Sequence, residues 1–284
     1  MSLIHASGLR KSYGDTNALN GFDLNVEPGR IVGLIGPNGS GKTTALKSIL
    51  GLLHLDDGTL DVLGLDPYRQ RKELMTRTAY IADVGILPRW MRVDHLLDFV
   101  EGVHASFNRS VAIAALEKTD VNLNKKIHVL SKGMNVQLHL AIALAIDAEI
   151  LVLDEPTLGL DILYRQRFYD SVLNDYYQEN RSILITTHEV REIEHILTDV
   201  VFIHRGKACL SLTMDELNEQ FCKLTVGQES VPEIRALAPI AERKTLQGTE
   251  FVFRGADTAT LAHFGEIATP NLVDLFIAVM GEQQ

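Results

Sequence analysis

Gly36-Pro37-Asn38-Gly39-Ser40-Gly41-Lys42-Thr43 places four residues between its first glycine and a Gly-Lys-Thr end, the spacing of a phosphate-binding P-loop. Glycines let successive backbone N–H groups turn toward one anion along a path that a Cβ would block. A helix starting near Thr43 would add its positive N-terminal end to the same anion site. Lys42 brings a point charge suited to the β- and γ-phosphates. Thr43 brings a hydroxyl suited to Mg²⁺, an ion that takes few protein ligands and keeps several waters.

Two acids and a histidine complete the chemistry. Ile150-Leu151-Val152-Leu153-Asp154-Glu155 is an apolar run ending in adjacent carboxylates, and ligands of open α/β sheets bind at the carboxyl ends of strands. Asp154 suits Mg²⁺ through its water shell. Glu155, one residue on and pointing differently, suits polarisation of an attacking water. A second apolar run, Ser182 to Thr187, ends at His188, whose imidazole could reach a γ-phosphate and orient that water.

These groups need a scaffold, and the pattern along the chain supplies one. Leu3 to Val26 mixes short apolar runs with Gly14-Asp15 and Asn20-Gly21, which predicts antiparallel edge strands joined by turns. Ile31 to Ile35 predicts the strand feeding the glycine loop, and Thr43 to Leu53 a helix with Leu46, Ile49 and Leu50 on one side. Strands are predicted at Leu60 to Val62 and Thr78 to Ile81. From about residue 90 to 148 the periodicity turns helical, with helices at Val93 to Val103, Val111 to Leu116 and Val136 to Ile146. Strands return at Ile150, Ser182 and Val200, with helices at Ile162 to Tyr177 and Val190 to Ile196 between them, an alternation that predicts a mainly parallel sheet. Residues 1–212 therefore read as one α/β P-loop domain with a helical subdomain. Residues 213–284 read as a small C-terminal α/β accessory domain: a helix over Met214 to Phe221, strands at Lys223 to Val226, Arg243 to Leu246 and Phe251 to Arg254, and a last helix over Asn271 to Met280.

The 284 residues are 46% hydrophobic and carry a net charge of −10. That length and composition allow a buried core of full size. The negative balance disfavours nucleic acid as a partner, since phosphates would be repelled. Cys209 and Cys222 have no metal-like spacing and read as reduced cytosolic thiols. No signal peptide is read at the start, and no apolar stretch reaches the roughly 18 residues that span a bilayer. If this protein drives transport, another chain supplies the pore.

Over about Leu3 to Leu212 these residues resemble the ABC (ATP-binding cassette) transporter ATPase family. The distinguishing segment is Leu130-Ser131-Lys132-Gly133-Met134, between the P-loop and the acidic strand. The resemblance implies that Ser131 and Gly133 close on the γ-phosphate of ATP held by a second copy in a head-to-tail dimer. Ser131 could also cap the following helix, and Gly133 permits close backbone approach. Glu155-Pro156-Thr157-Leu158-Gly159-Leu160-Asp161 resembles the family segment whose last Asp lines the dimer interface. Tyr13 matches the aromatic that stacks on adenine, and Thr44 follows the phosphate loop as a further nucleotide contact. Implied cofactors are ATP and Mg²⁺, the metal held by Thr43, Asp154 and the residue at position 83. The chain departs from the family at Asp83, where glutamine is common, at Lys132 and Met134 in place of glycine and glutamine, and at Gln137, where arginine is frequent.

The Lys-Gly-Met variant and the accessory domain most resemble exporter ATPases whose membrane subunit is a separate chain. The expectation is an ATP-hydrolysing subunit working with an integral membrane permease, cytoplasmic and peripheral on the inner face of the cell membrane. One alternative is a soluble ABC ATPase unconnected with transport; another is a module that binds ATP without turnover.

Overall fold

The structure is a computed structural model that describes residues 2–82, 87–178 and 180–281. In chain order its elements begin with β1 (Ile4–Tyr13), β2 (Thr16–Val26), β3 (Ile31–Ile35), α1 (Lys42–Ile49), β4 (Asp57–Val62), α2 (Arg71–Arg77) and β5 (Thr78–Ile81). The helical segment holds α3 (Val93–Val103), α4 (Arg109–Glu117) and α5 (Lys132–Leu144). The chain returns to the sheet with β6 (Ile150–Asp154), α6 (Ile162–Ser171), β7 (Ser182–Thr187), α7 (Val190–Ile193), β8 (Asp199–His204) and β9 (Lys207–Thr213). The remainder is α8 (Met214–Gln220), β10 (Phe221–Val226), α9 (Val231–Ala236), β11 (Ala241–Thr245), β12 (Gly248–Arg254), α10 (Thr258–Leu261), β13 (Glu266–Ala268) and α11 (Leu272–Gly281).

Burial explains why the strands sort into different sheets. Every residue of β3, β6 and β7 is buried, as expected of parallel strands covered on both faces. They form the centre of a six-stranded sheet ordered β5-β6-β7-β3-β8-β9, in which β9 alone runs antiparallel to its neighbour. Side chains alternate between its faces. Ile31, Ile35, Leu151 and Leu153 join the core on the helical side. Val32, Leu34, Ile150 and Val152 join a second core with α1 and the antiparallel sheet β2-β1-β4. In β1, by contrast, buried positions recur among exposed ones, the mark of a strand with one wet face.

Several boundaries differ from those read in the sequence. Asn20-Gly21 is not a turn: it lies inside β2, where Leu9 pairs with Phe22 and Arg10 with Asn20, so Gly21 is a bulge residue at φ 83°. Helix α1 stops at Ile49 rather than Leu53 because Gly51 turns left-handed, and a Cβ there would lie 1.9 Å from the Pro67 carbonyl. Helix α5 starts at Lys132, directly after its cap, not at Val136. The Ile162 to Tyr177 helix is α over its first part and then a π turn over Val172–Tyr176. Helices α2, α9 and α10 and strands β9 and β13 have no counterpart in the sequence reading.

The C-terminal segment builds its own four-stranded sheet, β11-β12-β10-β13, and a small core around Leu224, Ile234, Phe251 and Phe253. It is nevertheless fastened to the larger domain. Leu272, Leu275, Ala278 and Val279 of α11 are buried in the main core beside Ile193 and Phe202, and Phe276 meets the Phe202 ring edge-on at 5.3 Å. The Leu272 N–H donates to Glu194 Oε1 at 2.8 Å, which satisfies one open donor at the start of α11.

Candidate functional site

The order β6-β7-β3 is what assembles the site. The glycine loop follows β3, the two acids end and follow β6, and His188 follows β7, so three neighbouring strands present them at one edge.

The loop is shaped by close packing. A Cβ at Gly36 would lie 2.4 Å from the Ile203 carbonyl and 2.6 Å from Ser40 Oγ. Gly41 caps α1 at φ 111°, where a Cβ would lie 2.4 Å from the Ala18 carbonyl; the approach of β2 therefore requires glycine. Ser40 Oγ is buried without a hydrogen-bond partner among the described residues, a donor left over for a ligand. Pro37, Asn38, Gly39 and Thr43 are exposed and Thr44 is half-buried.

Lys42 is buried. Its ammonium donates to the Gly36 carbonyl at 2.7 Å and lies 3.9 Å from Glu155 Oε1. Burial lowers the Lys42 pKa, while Glu155 and then Asp154 pull it back up. Asp154 is also buried and accepts from Thr186 Oγ1 at 2.6 Å. Burial, the Asp154 charge and a hydrogen bond to that carboxylate push the Tyr80 hydroxyl up to about 12. Glu155 has φ 49°, a left-handed conformation that non-glycine residues rarely take and that clusters at functional sites. Its Oε2 lies 2.8 Å from His188 Nδ1. A carboxylate only accepts, so the proton of this pair sits on Nδ1. Lys42, Asp154, Glu155 and His188 thus stand together, as the sequence reading grouped them. That reading missed Thr186 and Tyr80, although the Thr-Thr pair before His188 marked the strand end.

A Mg²⁺ ion fits this donor set. Thr43 offers an exposed hydroxyl and Asp154 a carboxylate, the hard oxygens it prefers. Asp83 lies outside the described residues.

The remaining predicted residues stand apart. Ser131 is exposed and caps α5, its Oγ accepting from Met134 N at 3.2 Å. Gly133 is buried, and a Cβ there would sit 3.0 Å from the Tyr164 ring of α6, so packing of α5 on α6 already favours glycine. Asp161 caps α6 by accepting from Tyr164 N at 3.0 Å. No hydrogen bond or ion pair among the described residues ties Ser131, Gly133 or Asp161 to the Lys42 group. Around them Val129, Leu158, Ile162 and Leu163 are exposed apolar residues, Ile162 at 80%. Tyr13, at the tip of the β1-β2 hairpin, is 50% exposed, with Lys11 Nζ 5.8 Å from its ring centre. Gln137 Oε1, where the family often has arginine, is buried without a partner among the described residues.

Comparison with known proteins gives a consistent picture. The family model described as "ABC transporter" matches residues 19–158. The chain is 31% identical to a Nod factor export ATP-binding protein I of Burkholderia pseudomallei, over 97% of this chain and 96% of that one. It is also 31% identical to the daunorubicin resistance ATP-binding protein DrrA2 of Streptomyces coeruleorubidus, over 75% and 68%. A solved structure described as the ATP binding subunit of an ABC transporter superposes with a TM-score of 0.69 at 24% identity, over 77% of this chain and 92% of that one.

Proposed function

This chain belongs to the ABC transporter family of ATP-binding proteins, and from that premise we propose that it is the ATP-hydrolysing subunit of an exporter. The observation that carries the reading is the Lys42–Glu155–His188 contact at the carboxyl ends of β3, β6 and β7. The glycine loop, Ser40 and Lys42 hold the phosphates of ATP, and Thr44 lies alongside. Tyr13 gives the adenine a face to stack upon. A Mg²⁺ ion on Thr43 and Asp154 would screen the phosphate charge. Glu155 takes the proton side of the attacking water, and His188 holds the Glu155 carboxylate and orients that water toward the γ-phosphate.

The exposed half of the site supports a second copy as partner. Among the described residues Ser131, Gly133 and Asp161 make no hydrogen bond or ion pair to this chain's own Lys42 group, and the apolar residues around them are those an interface would cover. Head-to-tail pairing would bring Ser131 and Gly133 onto the γ-phosphate of the neighbour, so that ATP favours the closed dimer and hydrolysis opens it.

No helix among the described residues is long and apolar enough to cross a membrane, so a separate permease would form the path. Its docking site would include the stretch from Leu87 to Met91, where Trp90 is 72% exposed. Names of relatives that act in Nod factor export and daunorubicin resistance support export as the direction. Native protein recovered with membranes would agree with this reading, and native protein found in the soluble fraction alone would favour an ABC ATPase outside transport.

The test of the site is Glu155→Gln. It keeps shape and loses charge, so the variant should bind ATP, lose all but a residual rate of hydrolysis and run as a dimer on size-exclusion chromatography with ATP and Mg²⁺. A monomer under those conditions counts against the second-copy reading, and undiminished phosphate release counts against Glu155.

A further inference from the structure

Hydrolysis needs Glu155 and His188 in fixed register, yet they sit on two different loops, residues 155–161 and 188–189. Beneath them lies a polar node with no part in the chemistry described so far. Thr157, 4% exposed, donates from Oγ1 to Glu192 Oε2 at 3.1 Å. That uses its one hydroxyl proton, so the buried Tyr169 hydroxyl, also 3.1 Å away, donates to Thr157. The other Glu192 oxygen pairs with the Arg165 guanidinium. Arg165 Nε in turn donates to the Leu160 carbonyl at 2.7 Å. One carboxylate on α7, four residues past His188, therefore holds the Glu155 loop at two points: the Thr157 hydroxyl and, through Arg165, the Leu160 carbonyl.

We infer that Glu192 is a positioning residue for ATP hydrolysis, fixing the Glu155 loop against the histidine loop through Thr157 and Arg165. The inference rests on Glu155 and His188 being the hydrolytic pair. Glu155 needs such support. Its left-handed backbone is costly for a residue with a Cβ and persists where the surroundings over-determine it. The His188 contact is a single hydrogen bond to an exposed imidazole, and one such link holds a loop weakly. In the node Thr157 and Tyr169 are buried, Glu192 and Arg165 are half-buried, and the two Glu192 oxygens hold two separate partners, so it is the more connected of the two links between the loops. Besides joining α6 to α7, the node takes hold of the catalytic loop at two points, Thr157 and Leu160.

The experiment is steady-state hydrolysis of Mg-ATP by the full chain, with binding of a non-hydrolysable ATP analogue measured alongside. Glu192→Gln keeps an acceptor for Thr157 and loses the charge facing Arg165. It should lower kcat about 10-fold or more, as small misplacements of catalytic groups do, with KM and analogue affinity within about twofold. Thr157→Val should behave likewise, and Thr157→Ser, which restores the hydroxyl, should recover the rate. In a Glu155→Gln background the Glu192 change should add no further loss to the residual single-turnover rate. Full kcat in Glu192→Gln overturns the inference. So does Thr157→Ser as slow as Thr157→Val, and so does an additive loss in the Glu155→Gln background. An unsubstituted chain that does not hydrolyse ATP removes the hydrolytic reading of the site and this inference with it, whereas a slow step confined to the wrong variants removes the inference alone.

Discussion

At the P-loop, Lys42 is buried and bonded to the loop backbone, with two carboxylates within its electrostatic reach. Ser131, at the start of α5, is exposed, and among the described residues its side chain bonds only to the first turn of its own helix. Both regions carry glycines and both precede a helix. The difference lies in where the contacts go. The P-loop residues are fixed by their own chain, down to the Ala18 and Ile203 carbonyls against Gly41 and Gly36. The Ser131 region is fixed locally and surrounded by uncovered apolar side chains. On the proposed reading, the lysine that serves this chain's own nucleotide is held in its core, and the serine that serves a neighbour's stands on the surface.

Lys42→Ala breaks the comparison on its buried side. Removing a preorganised charge at the phosphates should lower kcat on the order of 10²–10³-fold and weaken ATP binding. Phosphate release at the unsubstituted rate would remove the P-loop from the chemistry. Ser131→Asp probes the exposed side. Asp caps a helix as well as Ser does, so melting temperature and ATP binding by the isolated chain should hold. A new negative charge facing a neighbour's phosphates should nonetheless cost about 10–10²-fold in turnover, since like charges brought together in an interface cost several kcal/mol. Turnover that survives this change would mean that Ser131 is a cap and nothing more.

Tyr13 tests a residue that is exposed yet assigned to its own chain's nucleotide. Tyr13→Ala should lose about 1–2 kcal/mol of ATP affinity and Tyr13→Phe very little, read by calorimetric titration. Equal affinities in all three proteins would leave Tyr13 as a surface ring beside Lys11. The smallest effect on the isolated chain belongs to Trp90→Asp. With its indole 72% exposed, the change should shift stability by no more than about 0.5 kcal/mol and leave ATPase activity alone, while assembly with the membrane subunit fails. A large drop in melting temperature would show that Trp90 packs inside the helical subdomain after all.

How much of this was legible in the sequence follows from the range of the forces involved. Strands β3, β6 and β7 were readable because burial on both faces writes itself as an unbroken apolar run, and the chemistry attaches directly to their ends. Ser131 as a cap was readable because capping is local. The end of α1 was not, because Gly51 answers to Pro67, which is near in space and distant along the chain. Nor were the contacts of Glu192 and Thr186, whose partners come from other parts of the chain. Gly133 shows a subtler case: the sequence suggested a nucleotide contact, and the structure adds Tyr164 as a reason of its own.

The seat of α11 has a consequence for how the protein is made. Ribosomes deliver the chain from its N-terminus, so Ile193 and Phe202 emerge well before Leu272, Leu275 and Phe276 exist to cover them. At ~5–20 residues per second that face of the motor stays bare for several seconds. During that interval it is an apolar surface open to chaperones or to other nascent chains, and a translation pause between β10 and α11 would lengthen the exposure.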